Sequence, residues 1–393
     1  MLITWFIIVY SVLTSSSALF LALRLARTFQ LPEDSAAERH QHDSVSILIP
    51  IKGADRGTHD VLQSLVSSVL QGKVEFVFGI ESDDDPAFSV CDQLRSSNPD
   101  RDIKIVISGE PRGLIGKQHN LAHAYKESKG KIIVCMDADI EVDPGTIQEG
   151  LSYLNKKDVG SAFFLPVYRG DAPVGGRLVE IYLNYHYNLF MGSLATLTDA
   201  PYIFGGLWMT RRSSLERTGG FESFGRTVSD DAAIGRAFLE VGLKNVLIPK
   251  IVHAQNENLG LRAGLKHLGK WIGMLRAEGI APYFAIWLWW HPVFWSAVFL
   301  GVGLAGGWLS SDSIMYGALG VGLCLAAKTA TSIILNIGVY RKGTLHSFLS
   351  VLAYELFAVP LVFGFGLFSR SITWKGRRYR LGSKGMVLGL DDL

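Results

Sequence analysis

Cysteine is nearly missing from this chain: three in 393 residues, Cys91, Cys135 and Cys324, with neither the paired spacing of a zinc site nor an even disulfide framework. A soluble part built this way suits a reducing compartment. An excess of one charge sign is missing too. The 38 basic side chains face 36 acidic ones, which excludes a general nucleic-acid binder and predicts no nucleic-acid partner. Only 19% of residues are charged while 48% are hydrophobic, which excludes a disordered chain. The charge also avoids the two ends. Long uncharged stretches lie there and the carboxylates crowd the middle, the pattern of a membrane enzyme.

Residues 1–24 begin with 23 uncharged residues, MLITWFIIVYSVLTSSSALFLAL, and about 20 apolar residues span a bilayer core. The first basic residues, Arg24 and Arg27, follow the apolar run rather than precede it, so the segment is expected to be an uncleaved anchor. Basic residues gather on the cytoplasmic side. The expectation is therefore a multi-pass membrane protein whose catalytic domain faces the cytoplasm. A second apolar zone, 281–370, opens with Trp287, Trp289, Trp290 and Trp295, ring types that favour the interface. It offers three candidate crossings: about 280–311, 314–338, and Phe348 to Phe368. Arg341 and Lys342 separate the last two. Lys328 and Glu355 fall inside these segments, where they either pair across helices or sit near helix ends. Three full crossings would export the basic tail, 371–393, against the charge rule. Either the last segment, interrupted by Pro360, re-enters, or the first is partly interfacial.

Between the ends, residues 40–260 read as one α/β domain. SVSILIPI (44–51), VEFVFGI (74–80), IKIVI (103–107) and KIIVCM (131–136) are expected to be buried strands separated by helices, and such alternation predicts a mostly parallel sheet. Ligands of such sheets bind beyond the carboxyl ends of the strands, and the acidic motifs lie there. The second strand runs into ESDDDPA (81–87), the fourth into Asp137-Ala138-Asp139. Carboxylates one residue apart at a strand tip can hold a divalent cation, Mg2+ or Mn2+, that bridges two phosphates. Asp137 and Asp139 are the expected metal ligands. Ser229-Asp230-Asp231 opens a further helix. One aspartate there is expected to serve as a cap, and Asp231 is the candidate base that takes a proton from an acceptor hydroxyl. In the amphipathic segment 261–280, His267, Lys270 and Trp271 either face the diphosphate and acceptor or anchor an interfacial helix. His186, in an aromatic run, either lines an acceptor entrance or is an ordinary helix residue.

The ordered series VSILIPIKGAD (45–55), DDPA (84–87), IGKQHNL (115–121), DAD (137–139), SDD (229–231) and WKGRRYR (374–380) resembles the ceramide glucosyltransferase family over most of the chain. The resemblance implies a GT-A fold, a Rossmann-like α/β domain, with N-terminal and C-terminal transmembrane helices. It implies that Asp85 and Asp137 bind the UDP-sugar donor, that Asp231 is the catalytic base, and that Lys117 and Asn120 lie in a donor-binding stretch. The family ends in Q or R, two residues, then RW; this chain has His267, two residues, Lys270 and Trp271. Lysine keeps the charge but not arginine's planar bidentate contact.

The function expected on these grounds is inverting transfer of glucose from UDP-glucose to ceramide or a similar membrane lipid. Other acceptors considered are a hopanoid, a sterol, a diacylglycerol and a polyprenyl phosphate. The competing class is a membrane protein that binds nucleotide sugars without turning them over. The polymer synthases that share the aspartates need more crossings than this chain offers.

Overall fold

The computed structural model describes residues 2–30, 44–55, 57–67, 73–111, 115–143, 145–256, 258–341 and 350–391. Chain segments distant in sequence assemble into two compact units. The first comprises Met1–Leu31, Asp171–Leu197 and Asn256–Ile372; the second comprises Pro32–Gly170, Thr198–Gln255 and Thr373–Leu393. Two expected boundaries differ from this division. Residues 171–197, placed by the sequence within the α/β domain, belong to the apolar unit, where the helix Val174–Tyr182 buries Val179, Ile181 and Tyr182. The basic tail is not a separate appendage but part of the α/β unit.

The α/β unit is built on an eight-stranded sheet: β1 (Val45–Pro50), β2 (Val74–Ile80), β3 (Asp102–Ile107), β4 (Ile132–Met136), β5 (Ile140–Glu141), β6 (Val159–Arg169), β7 (Leu207–Arg211) and β8 (Lys244–Gln255). Their order is β3-β2-β1-β4-β7-β6-β8-β5. The four strands expected from sequence form a parallel half, β3-β2-β1-β4. The apolar runs of β1, β2 and β4 are buried on both faces, as strands sandwiched between helices must be, whereas the edge strand β3, expected to be buried, buries Ile103 alone and leaves the rest of its run half-buried or exposed. The other half is mixed, because β7 runs antiparallel to both β4 and β6. Parallel pairing fixes the level of the strand ends: Pro50 pairs with Gly79, and Leu48 with Cys135. The segments after β1, β2 and β4 therefore emerge side by side. A small sheet, β11-β10-β9, comprises β9 (Ser371–Trp374), β10 (Arg377–Leu381) and β11 (Val387–Asp391).

Among the described residues the apolar unit holds three helices long and apolar enough to cross a membrane, within Thr4–Gln30, Ser311–Tyr340 and Ser350–Leu367. Phe348 and Lys342 lie outside the described residues. The expected span near 280–311 is two helices, Ile280–Trp290 and Pro292–Ala305, bent by 89°. Pro292 starts the second helix, and a residue before proline is driven out of helical geometry; His291 has φ −124° and ψ 57°. The helix Leu2–Gln30 packs on Ser311–Leu335 through small residues. Cβ atoms added at Gly317, Gly320 and Gly338 would meet Ile7, Ser11 and Ala26 respectively, and Ser15 Oγ lies 3.8 Å from Cys324 Sγ. Both sequences advance together along this seam, so the two helices run parallel, closely apposed in the manner of small-residue membrane contacts.

Lys328 and Glu355 do pair, at 3.2 Å with Glu355 fully buried. The same ammonium lies 3.1 Å from His186 Nδ1. His186 is wholly buried beneath it, which corrects the expectation that it might line an entrance. His186, His291 and Glu355 are close enough to share a metal ion. The Lys328 ammonium already stands against two of these three residues, supplying the positive charge an ion would bring.

Candidate active site

The site residues of the α/β unit gather where the parallel strands end. Asp85 follows β2 and stands at the start of the helix Pro86–Ser97, where its Oδ1 accepts hydrogen bonds from Ala87 N at 2.9 Å and Gly53 N at 2.8 Å. The first bond is a helix cap. The second ties the β2 end to the loop after β1. Asp85 is thus held rigidly beside the β1 loop, while Asp83 and Asp84 point to solvent.

Asp137 is the first residue beyond β4. Its backbone N–H donates to Gly206 O at 2.9 Å, and its carboxylate takes both oxygens to the Lys117 ammonium, at 2.8 and 3.0 Å. Lys117 sits in the first turn of the helix Gly116–Glu127 and also donates to Gly205 O at 3.3 Å. Asp231, in the first turn of the helix Asp230–Glu240, accepts from Gly205 N at 3.1 Å through Oδ2, and its backbone oxygen accepts from Ile203 N. The segment 203–206 is therefore the hub that joins Asp137, Lys117 and Asp231. Gly205 cannot carry a side chain: a Cβ would lie 2.2 Å from Asp231 Oδ1. Asp139, one residue past Ala138 on the same strand tip, is part-exposed and is tied to the end of β8 through its carbonyl and Gln255 N.

The electrostatics follow from this crowding. Burial and the neighbouring Asp230 push the Asp231 carboxyl up to about 8, against the opposing pull of Lys117 and the Gly205 N–H. Burial raises Asp137 as well, with Lys117 opposing and Asp230 adding to the rise. Burial acts to lower the Lys117 ammonium, but Asp137, Asp230 and Asp231 outweigh it and hold the group above its ordinary range. Three carboxyl groups, Asp137, Asp230 and Asp231, crowd one buried ammonium, Lys117, and the rise at Asp137 and Asp231 marks a site short of positive charge, which a divalent cation would supply. The donor set is all oxygen, suited to Mg2+ or Mn2+ rather than to zinc. Asp137 and Asp139 would hold such an ion and leave positions open for a ligand's oxygens. A bound ion would screen the pocket's negative charge and polarise a diphosphate.

Other expectations resolve differently. The expected aspartate cap is absent: Ser229 holds the N-cap position without a side-chain cap bond, and Asp230, the first helical residue, accepts from Asp231 N. Asn120, expected beside the donor, is buried and uses its amide on the fold, donating to Ile51 O at 3.3 Å and accepting from Ser108 Oγ at 2.8 Å. His267, Lys270 and Trp271 are in the other unit, on the helix Leu261–Glu278. There they cluster with one another: the His267 and Trp271 rings are 4.5 Å apart, and the Lys270 ammonium lies 5.2 Å from the Trp271 ring. Trp271 stacks on Tyr182 at 5.9 Å.

Two residues escaped the sequence reading. Gln118, fully buried between Lys117 and His119, donates to Asp230 Oδ2 at 2.8 Å and so fixes the residue next to Asp231. Its signal was a buried amide inside IGKQHNL. Gly205 was signalled by the Gly205-Gly206 pair before β7, which demands close backbone approach.

The chain is similar to known proteins. A ceramide glucosyltransferase from Caenorhabditis elegans, "Ceramide glucosyltransferase 1", is 21% identical over 346 residues, 87% of this chain and 72% of its own. A ceramide glucosyltransferase from Pyricularia oryzae is 27% identical over 201 residues, covering 44% of this chain and 41% of its own. Among solved structures, a mannosyltransferase from Pyrobaculum calidifontis in complex with GDP-Man and Mn2+ superposes with a TM-score of 0.57 at 18% identity, over 89% of this chain and 99% of its own. That likeness establishes the GT-A fold expected from the sequence. A family model described as "Glycosyl transferase family 21" matches residues 3–387, nearly the whole length. The chain is a glycosyltransferase and belongs to glycosyl transferase family 21, the family of the ceramide glucosyltransferases.

Proposed function

We propose that the protein transfers a hexose, glucose from UDP-glucose, to the primary hydroxyl of ceramide or a similar membrane lipid, with inversion at the anomeric carbon. The observation that carries this reading is the convergence of Asp137, Lys117 and Asp231 on the 203–206 segment. The apolar helices of the same chain suit an acceptor whose tails stay in the bilayer.

Asp85 and Asp137 bind the donor in this reading, and Asp137 with Asp139 would hold a divalent cation, Mg2+ or Mn2+, which would supply positive charge to the leaving diphosphate. Asp231 receives the proton of the acceptor hydroxyl. The freed oxygen pair attacks the anomeric carbon from the face opposite the diphosphate, the glycosidic C–O bond breaks, and its electrons leave with the nucleotide. A base value near neutrality suits this work, and burial with like-charge repulsion supplies it. Lys117 orients Asp137 and adds positive charge beside the departing phosphates.

The same proposal fixes a topology. The tail 373–393 and residues 32–170 form one body, so the segments between them cross the bilayer an even number of times. Because Leu2–Gln30 and Ser311–Leu335 run parallel, the two cross in the same direction, and Arg341 follows the second as Arg24 and Arg27 end the first. The bent pair 280–305 then makes the outward crossing, and Ser350–Leu367 enters without completing one. Basic Arg24, Arg27 and Arg341 put that side in the cytoplasm.

The test is incubation of the purified, detergent-reconstituted protein with labelled UDP-sugars, a panel of lipid alcohols and polyprenyl phosphate. Labelled glucosyl lipid from a lipid alcohol is expected. Label in polyprenyl phosphate alone would overturn the acceptor, and label in no lipid under any metal condition would favour the binding protein.

A further inference from the structure

The sequence motif WKGRRYR has no part in the chemistry so far, although the fold spends much on placing it. Arg377, at the start of β10, makes a two-point ion pair with Glu81, at 2.6 and 2.8 Å, and Lys52 reaches the same carboxylate at 2.8 Å. Glu81 is the first residue beyond β2 and is nearly buried. Bidentate arginine pairs fix orientation as well as position. Burial acts to raise Glu81, but Arg377 and Lys52 outweigh it and hold the carboxyl below its ordinary range. Further along, Val228 N donates to Gly385 O at 2.9 Å and Val387 N donates to Arg226 O at 2.8 Å. Thr227 and Met386 form an antiparallel bridge between these bonds. The small sheet is thus fastened at one point to the end of β2 and at another to the loop that leads into Asp230 and Asp231. These two anchors flank the carboxylate pocket.

The hairpin turn between the anchored strands carries Lys375 and Gly376, with φ 44° and 83°. Two consecutive positive φ values are the geometry of the tight two-residue hairpin, for which Asn-Gly is the favoured pair. A lysine in the left-handed region costs backbone energy that asparagine would largely avoid. Lys375 is 58% exposed, and its ammonium stands 4.0 Å from the almost fully exposed Asp55, in the loop after β1 that Gly53 ties to Asp85. A long, loosely held ammonium is therefore carried at strained backbone to the rim of an acidic pocket.

We propose that Lys375 is a donor-binding residue: its ammonium engages the diphosphate of the nucleotide sugar held at Asp137. The inference rests on the nucleotide-sugar reading above and names a contact that reading does not contain. Lys117 is committed to Asp137 and Gly205, so Lys375 is a cation of this rim left able to follow a ligand. The anchored hairpin holds its backbone while the side chain stays exposed.

The experiment measures binding to the full-length protein in Mn2+ by calorimetry, with UDP and GDP as diphosphate probes and uridine and guanosine as controls without phosphate. Lys375→Asn keeps a residue that tolerates the turn and removes the charge; Lys375→Arg restores charge. Expected for Lys375→Asn is about ten-fold weaker binding of the diphosphate that the wild type prefers, equivalent to about 1.4 kcal/mol, with nucleoside binding unchanged and Tm no lower than that of the wild type. Lys375→Arg should recover most of the loss. Wild-type affinity for diphosphate in Lys375→Asn would overturn the inference alone, as would an equal loss for nucleoside and diphosphate, which would mark the turn as structural. A wild type that binds neither diphosphate would overturn the proposed function and this inference with it.

Discussion

At the scale of single residues, the proposed chemistry turns on Asp231. Its folded value near 8 exceeds the ordinary 3.8, so the folded protein retains a proton that the unfolded chain has lost. The sign is unfavourable: stability falls as pH rises from about 4 and the loss is complete above about 8. Asp231→Asn should therefore raise Tm at pH 9 and leave it unchanged at pH 4, while abolishing sugar transfer. A calorimetric scan at the two pH values checks the first, and a lipid-product assay the second; a variant that still turns over removes Asp231 as the base. The same value predicts a rate limb: with little metal present, kcat/KM should fall about ten-fold per pH unit below 8. Raising Mn2+ should move this limb to lower pH, because a cation favours the charged carboxylate. Excess chelator should suppress activity and added Mn2+ restore it.

At the scale of elements, one glycine decides whether the base is in place. Gly205→Ala would put a methyl group against Asp231 Oδ1. The expected result is a loss of kcat of two orders of magnitude or more, about 2.7 kcal/mol, with nucleotide affinity retained, read from parallel kinetic and binding titrations. Legibility divides along similar lines. The parallel strands β1 to β4 could be read from their sequences because each is a continuous apolar run ending in carboxylates or a turn. The antiparallel β7 could not, since Leu207–Arg211 has the length and composition of many loops and its place beside β4 is a long-range choice. Asp137, Lys117 and Asp231 were legible because charged groups at strand tips and helix starts are costly without a task. Gln118 and Asn120 look alike in sequence, and only packing shows that one supports Asp230 while the other ties β1 to β3. In the apolar helices, the paired charges Lys328 and Glu355 were visible, but the partners His186 and His291 were not, because histidine at ordinary spacing carries no periodic signal. The break at Pro292 was legible and went unused.

At the scale of the whole molecule, the route of the chain through the bilayer is the testable matter. The three native cysteines are buried, so single cysteines introduced at Ser223, Ser310 and Ser383 can report on sidedness. A membrane-impermeant maleimide should label Ser223→Cys and Ser383→Cys from the same face of sealed vesicles, and Ser310→Cys from the other. Labelling of all three from one face would reject the crossing assigned to the bent pair. Substituting Gly320 by leucine, where a Cβ already meets Ser11 Oγ at 3.0 Å, should loosen the seam between the two parallel helices and lower Tm in detergent.

The anchoring of β10 and β11 has a consequence for biosynthesis. On a ribosome the strands of the large sheet are made first and Arg377 only after every membrane segment has been translated. Until then Glu81 lacks its clamp and the loop before Asp230 lacks its edge partner, so a nascent chain halted at residue 370 should hold the main sheet yet be unable to glycosylate anything. Competence is thereby deferred until every apolar helix of the chain has been made.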